Sequence, residues 1–236
     1  MVDEKREEIP LTKLMETILP YQASVYVTVL NIIQCIAFAF WINEARDYIT
    51  KEEFSLAWAL CSAVALAMIL VVWHRYVNEV QYLWIISWSD TFAPFLMGIT
   101  ECIMVFFINP KVISLDKFVF SMILLQFLAS FIYESTYRKR AMKITEKLYQ
   151  TFYSDYPKFV SCLMNFLQNY DRWHFKIFTI YAGISLALFI IIISFPNNWN
   201  EVIFPIVYLV EFVGGEALGN FQKSLHNDKS VGPYFS

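Results

Sequence analysis

Residues 54–73 read FSLAWALCSAVALAMILVVW, and no charged side chain interrupts them. A run of about 20 apolar residues is long enough to cross the hydrocarbon core of a bilayer as an α-helix. The helix would be apolar on every side, so a soluble domain would have to bury all of it. The stretch therefore predicts a membrane-spanning helix in an integral membrane protein.

Comparable stretches occur on both sides of this one. The composition agrees with them, because 58% of the 236 residues are hydrophobic and only 17% are charged, whereas soluble domains are about one quarter charged. The predicted fold class is all-α: a polytopic membrane bundle of about six transmembrane helices with one or two cytoplasmic interfacial amphipathic helices. The spans are expected near 22–42, 54–73, 80–108, 117–135, 175–195 and 202–221.

The spans divide the chain into five segments, and the loop after span four is the longest connection between spans. This loop should contain two amphipathic helices that meet at the sequence SDYP, residues 154–157. Such helices lie in the membrane interface or pack under the bundle. The segments are a cytoplasmic N-terminal amphipathic segment (1–21), spans one to four (22–135), the basic cytoplasmic loop (136–174), spans five and six (175–221) and a cytoplasmic tail (222–236).

Basic residues predict the orientation. With the N-terminus inside, 14 of the 18 Lys and Arg residues face the cytoplasm, as the positive-inside rule requires. The long loop contributes most of this excess. We therefore expect a multi-pass protein of the cell membrane, or of the inner membrane in a prokaryote, with both termini in the cytoplasm.

Acidic residues inside the spans are the main functional signal. A carboxylate at the bilayer centre costs about 2.5 kcal/mol or more on insertion scales, so it is usually functional. No Lys or Arg lies within a predicted core to neutralise these acids. They must be protonated or must face water, a cation or hydrogen-bonding side chains, for which the spans offer Asn31, Gln34, Gln126 and Tyr208. The acids are Asp90 and Glu101 in span three and Glu211 and Glu216 in span six.

The spacing in span three adds a fifth acid, Glu79. Eleven residues separate Glu79 from Asp90, and eleven separate Asp90 from Glu101. Eleven steps of a helix return to within about 20° of the same face. A continuous helix would therefore carry an acidic stripe, which Pro94 could interrupt. The alternative is that these acids only form hydrogen bonds in the bundle or reach the interface.

Span six combines an acid with glycines. Glu211, Gly215 and Gly219 are four residues apart and share a helical face, and Gly214 lies beside them. Glycines at this spacing allow two helices to pack closely. They also allow a helix to unwind beside an ion site. Both interpretations predict that this face is internal.

A basic cluster follows span four. It could bind a cytoplasmic protein or an anionic, phosphate-bearing ligand. Alternatively, it only sets the topology and lies against anionic lipid. The cluster consists of Arg138, Lys139, Arg140, Lys143 and Lys147.

Signatures of enzymes are absent from the sequence. It contains no GxSxG, HExxH, P-loop or GxGxxG pattern, and its isolated Cys and His residues suggest no metal site. It also has no basic stripe interleaved with aromatics of the kind that binds nucleic acid. We therefore expect no catalytic residues, no cofactor, no metal and no nucleic-acid partner.

The remaining features favour ion transport. Rings of carboxylates select cations in pores, so the leading prediction is a homo-oligomeric cation channel or a cation-coupled transporter. Its pathway would use the acids of spans three and six. The alternative prediction is a membrane sensor, a signal-opened effector or an anchoring subunit that binds a partner on its cytoplasmic face.

Overall fold

The computed structural model describes residues 11–50, 55–80, 88–108, 115–129, 139–197 and 199–225. Within these ranges it contains helices and no strand, which confirms the all-α prediction. The helices are α1 (Leu11–Thr50), α2 (Leu56–Val80), α3 (Trp88–Phe106), α4 (Leu115–Phe127), α5 (Lys139–Phe152), α6 (Pro157–Ser194) and α7 (Asn200–Leu225).

Three segments of these helices are long and apolar enough to cross a membrane. They are Val27–Thr50 in α1, Leu56–His74 in α2 and Phe175–Ser194 in α6. The stretch Phe92–Phe106 in α3 is apolar but shorter. Outward isoleucines such as Ile193, which is 60% exposed, give α6 an apolar surface suited to lipid. These segments support the prediction of a membrane protein. Three segments do not confirm the predicted number of about six spans.

Side-chain contacts fix the relative directions of the helices. Trp41 of α1 donates a hydrogen bond from Nε1 to the backbone oxygen of Ser62 in α2, at 3.0 Å. Further along α1, the Tyr48 ring stacks on Trp58, with ring centroids 3.7 Å apart. Residue numbers thus rise in α1 while they fall in α2, so the two helices are antiparallel.

The long helices form a closed ring in the order α1, α3, α4, α6, α7 and α2, with an additional contact between α2 and α3. At one end of this ring, Trp58 of α2, Phe107 at the end of α3, Leu115 of α4 and Glu201 of α7 line one small cavity. The starts of α2, α4 and α7 therefore lie beside the end of α3. This arrangement is the one expected when successive long helices alternate in direction.

Two helices continue across predicted segment boundaries. α1 begins at Leu11 and continues past Pro20 to Thr50, so the predicted amphipathic segment and span one form a single helix. α6 likewise joins the second amphipathic helix of the loop to span five in 38 residues. After Pro157 in the first turn, α6 meets no proline, and its first glycine is Gly183. No local signal interrupts the helix at residue 174.

The predicted acidic stripe of span three is wrong. Glu79 lies in α2, which ends at Val80, and α3 begins only at Trp88. Because Glu79 is on a different helix, the eleven-residue spacing does not place it on the same helical face as Asp90. The helix does continue through Pro94, so Asp90 and Glu101 share α3.

Candidate functional site

The first buried acid, Glu101, lies where α3 packs against α1. Its side chain is 0% exposed, and Gln34 of α1, beside it, is 5% exposed. Neither oxygen of the Glu101 carboxyl has a hydrogen-bond partner with ordinary geometry among the described residues, and the same holds for the Gln34 amide. α3 packs closely on α1 here, because Gly98 has only a hydrogen where a Cβ atom would strike the Ile33 side chain.

The second buried acid, Glu211, lies on α7. It is 8% exposed, and neither oxygen of its carboxyl has a hydrogen-bond partner in the described part of the chain. Its backbone oxygen accepts a hydrogen bond from the Tyr181 hydroxyl of α6, at 2.7 Å. This hydrogen bond links α6 to α7 and holds the backbone at Glu211, and the Glu211 carboxyl group takes no part in it.

A chain of polar side chains extends from Glu211 into the bundle. Tyr208, one turn earlier on α7, is fully buried and lies near both Glu211 and Ser185 of α6. Ser185 donates a hydrogen bond to the Oε1 atom of Gln126 in α4, at 2.6 Å. Buried polar groups in a low-dielectric interior interact strongly with one another. The three helices α4, α6 and α7 therefore meet at a polar cluster that contains Glu211.

The buried polar residues of the described segments include three glutamates and no Lys, Arg or His. Besides Glu101 and Glu211, they include Glu44, which is 7% exposed and has an interaction partner. Glu44 is not among the predicted site residues, because the predicted span one ends near residue 42, whereas α1 continues to Thr50. The only indication of this longer helix in the sequence is that the helical pattern of residues continues beyond residue 42.

The structure does not join Glu101 and Glu211 into one site. Glu101 lies on α3 where it packs against α1, whereas Glu211 lies on α7 where it packs against α6. In the ring, α2 separates α3 from α7 on one side, and α4 and α6 separate them on the other. For the other predicted acids, Glu79, Asp90 and Glu216, the structure describes the helix but not the side chain. The candidate site is thus two separate buried carboxyl clusters.

The polar side chains proposed as partners for the acids are placed differently. Gln34 lies beside Glu101, and Tyr208 lies beside Glu211. Asn31 instead accepts a hydrogen bond from the Trp73 indole of α2, at 3.0 Å. Gln126 reaches Glu211 only through Ser185 and Tyr208.

The glycines of α7 have different surroundings. A Cβ atom added at Gly215 would lie 2.7 Å from the Tyr181 hydroxyl oxygen, so the predicted close helix contact exists at this residue. A Cβ atom at Gly214 would meet no described atom within 4 Å, so Gly214 packs against no described helix. Gly219 lies in α7, but its surroundings fall outside the described part of the structure.

An apolar groove of about 510 Å³ lies between α1 and α3 on the outside of the first cluster. Ile33, Ile36, Phe95 and Ile103 are among the side chains that line it. An apolar surface of this kind suits an acyl chain better than water, which needs polar partners. The groove is therefore not a route for ions to Glu101.

The basic cluster lies on α5, except for Arg138, which lies outside the described residues. Its members Lys139, Arg140, Lys143 and Lys147 are all exposed. The opposite side of α5 packs on the first half of α6 in a small apolar core that is separate from that of the bundle, with Met142, Leu163 and Leu167 buried in it.

Tyr149 borders the same small core. Its burial, with the nearby Tyr153, raises the pKa of Tyr149 to about 12. The phenol is therefore neutral at physiological pH and adds no charge to α5.

Within the described residues, no group of three or more His, Cys, Asp or Glu side chains is arranged to hold a metal ion. Comparison of the chain with protein-family models, curated proteins and solved structures gave no match. The functional interpretation therefore depends on the geometry of the two carboxyl clusters and of the α5–α6 hairpin.

Proposed function

We propose that this chain is a six-span membrane protein that moves cations across the bilayer, as a homo-oligomeric channel or a cation-coupled transporter. Glu101 and Glu211 are the cation-binding groups. The observation that carries the proposal is that both carboxyl groups are buried without a buried basic neighbour among the described residues, where Glu211 has no hydrogen-bond partner and Glu101 has only the Gln34 amide beside it, without ordinary hydrogen-bond geometry.

The energetics of burial support this role. An isolated carboxylate in an apolar medium is strongly disfavoured, so it takes up a proton or binds a cation. A purely structural carboxyl would be expected to use its oxygens in hydrogen bonds, because a buried unsatisfied polar group costs about 1–3 kcal/mol. Within the described residues Glu211 makes no such bond, and the Gln34 amide beside Glu101 lacks ordinary hydrogen-bond geometry. Free oxygens suit a group that binds and releases an ion.

The six-span topology fits the helix directions. In the alternating arrangement of the ring, the ends of α1, α3 and α6 and the starts of α2, α4 and α7 lie at one end, and the α5–α6 connection lies at the other. The basic residues of α5 are at the second end, which the positive-inside rule assigns to the cytoplasm. Both termini then face the cytoplasm.

The direct experiment is a flux assay on the purified protein in liposomes. With an imposed H⁺, Na⁺ or K⁺ gradient, the unmodified protein should dissipate at least one of these gradients faster than protein-free liposomes do. The variant that carries both Glu101→Gln and Glu211→Gln should lose this activity, because neither site can then hold a negative charge. If no gradient dissipates faster with the unmodified protein, cation transport is excluded under these conditions.

The topology gives a separate prediction. Single cysteines at Thr50, Ser154 and Asn197, each of which is exposed, are introduced after the four natural cysteines are replaced. In intact cells, an impermeant thiol reagent should label the cysteines at 50 and 197 and leave the one at 154 unlabelled until the membrane is opened. Labelling of 154 together with the other two would contradict the proposed arrangement.

A second function, the signal-opened effector, is favoured by the continuity of α6. The same helix carries the small core with α5, at Leu163 and Leu167, and the bundle contacts at Tyr181 and Ser185. A ligand or partner that moves the hairpin would therefore displace the contacts around Glu211. Flux that appears only after a cytoplasmic factor is added would support this function over constitutive transport.

A further inference from the structure

The exposed face of α5 is basic from Lys139 to Lys147. Lys139, Arg140, Lys143 and Lys147 lie within about 100° of one another around the helix axis. They are centred opposite the side that packs on α6. Against these four basic residues α5 has one acid, Glu146. The buried side of the helix consists of Ala141, Met142 and Thr145.

The start of α5 lies close to the membrane boundary. α5 ends at Phe152 and α6 begins at Pro157, so the two packed helices form an antiparallel hairpin in which Lys139 lies beside residue 170. The membrane-crossing part of α6 begins at Phe175. Five residues of helix are about 8 Å long, so Lys139 and Arg140 lie about that far from the boundary.

Two more basic side chains occur at this level. Arg172 and Lys176 of α6 are both exposed, one on each side of the boundary at Phe175. Lys147 and Lys158 also belong to the hairpin, but they lie farther out, at about 20 and 25 Å from the boundary along the helix axis. The basic residues are thus graded by depth, and at the membrane surface Lys139 and Arg140 lie apart from Arg172 and Lys176, which occupy the side of α6 that faces away from α5.

These charges have no protein partners to neutralise them in the described segments. The ion pair found there joins Arg46 and Asp47, at the other end of the bundle. The headgroup layer is about 5–8 Å thick on each side of the hydrocarbon core, and charges interact over about 8 Å at physiological salt. Lys139 and Arg140 fall within this range, whereas Lys147 falls well outside it.

We propose that Lys139 and Arg140 form a binding site for the headgroup of an anionic phospholipid. The site lies where the α5–α6 hairpin meets the membrane, and it is independent of cation transport through the bundle. A soluble phosphate compound or an acidic partner protein would be bound equally well by the outer basic residues. A lipid headgroup requires the pair at membrane level, because its depth is fixed by its acyl chains.

The test compares two double variants that each remove two charges from the same hairpin. Purified protein in neutral-detergent micelles is titrated with phosphatidylserine and, separately, phosphatidylcholine, each labelled on an acyl chain. One variant carries Lys139→Gln and Arg140→Gln, and the matched control carries Lys147→Gln and Lys158→Gln. Each charge near the surface contributes about fivefold to the affinity for anionic lipid. The first variant should thus bind phosphatidylserine at least about tenfold more weakly, and the control should change by less than about twofold.

Two further measurements distinguish a specific loss of lipid binding from misfolding of a variant. Binding of phosphatidylcholine should be equal in all three proteins, which shows that the lipid-exposed surface is intact. In the unmodified protein, raising the salt to 1 M shortens the screening distance to about 3 Å and should weaken the binding of phosphatidylserine alone. Unchanged phosphatidylserine affinity in the first variant overturns the proposal. Equal losses in the two variants overturn it too, because depth would not matter.

Discussion

Replacing Glu211 by glutamine should lower cation flux through the reconstituted protein by about tenfold or more. We take the contact between the carboxylate and the cation as comparable to a hydrogen bond to a charged group, about 1.5–3 kcal/mol, and each 1.4 kcal/mol corresponds to about a factor of ten in rate. Glutamine keeps the volume and the polar atoms of the side chain but cannot hold the charge. The fold should survive, because the Tyr181 hydroxyl bonds the backbone oxygen of residue 211 and not its carboxyl.

The matched control is Glu201→Gln. Glu201 lies in the first turn of the same helix, and its side chain is exposed. Its replacement removes the same charge from α7 without touching the buried cluster, so flux should stay within about twofold of the unmodified protein, as for most surface changes. Flux and selectivity that are unchanged in Glu211→Gln would remove this residue from the mechanism. The effector function, with Glu211 in a structural role, would then be preferred.

The positions of the helices could be predicted from local sequence. The apolar stretch 54–73 corresponds to most of α2, and the break predicted at residues 154–157 falls between α5 and α6. Both are local properties, since hydropathy and turn residues act over a few positions. The extents of α1 and α6 were underestimated, because helices there continue beyond the apolar part without a break.

The surroundings of the acids could not be predicted in the same way. That Glu101 lies beside Gln34 depends on α1 and α3 packing as neighbours, although α2 comes between them in the sequence. That Glu44 is buried depends on the length of α1 and on what packs against it. Long-range packing of this kind leaves no periodic signal in a single sequence. The predicted stripe through Glu79 failed for a related reason, because the spacing presupposed one continuous helix.

The two adjacent glycines of α7 give the clearest stability prediction. Gly215→Leu should destabilise the protein by about 1–3 kcal/mol or more, the usual cost of overpacking. The new Cβ atom would lie 2.7 Å from the Tyr181 hydroxyl oxygen and 3.1 Å from its Cε2 atom. Tyr181 would have to move and would lose its hydrogen bond to Glu211. Unfolding in increasing denaturant, followed by circular dichroism, measures the change in the free energy of unfolding.

Gly214→Leu is the matched control, because it makes the same chemical change one residue away. A Cβ atom there meets no described atom within 4 Å. Glycine is less favourable in a helix than alanine by about 0.8–1 kcal/mol, and leucine is nearly as good a helix former as alanine. This variant should be neutral or slightly more stable. Adding Tyr181→Ala to Gly215→Leu should make the two effects non-additive, because residues in contact couple by about 0.5–3 kcal/mol. Equal destabilisation by the two glycine replacements, or simple additivity in the double variant, would show that Tyr181 does not set the contact between α6 and α7.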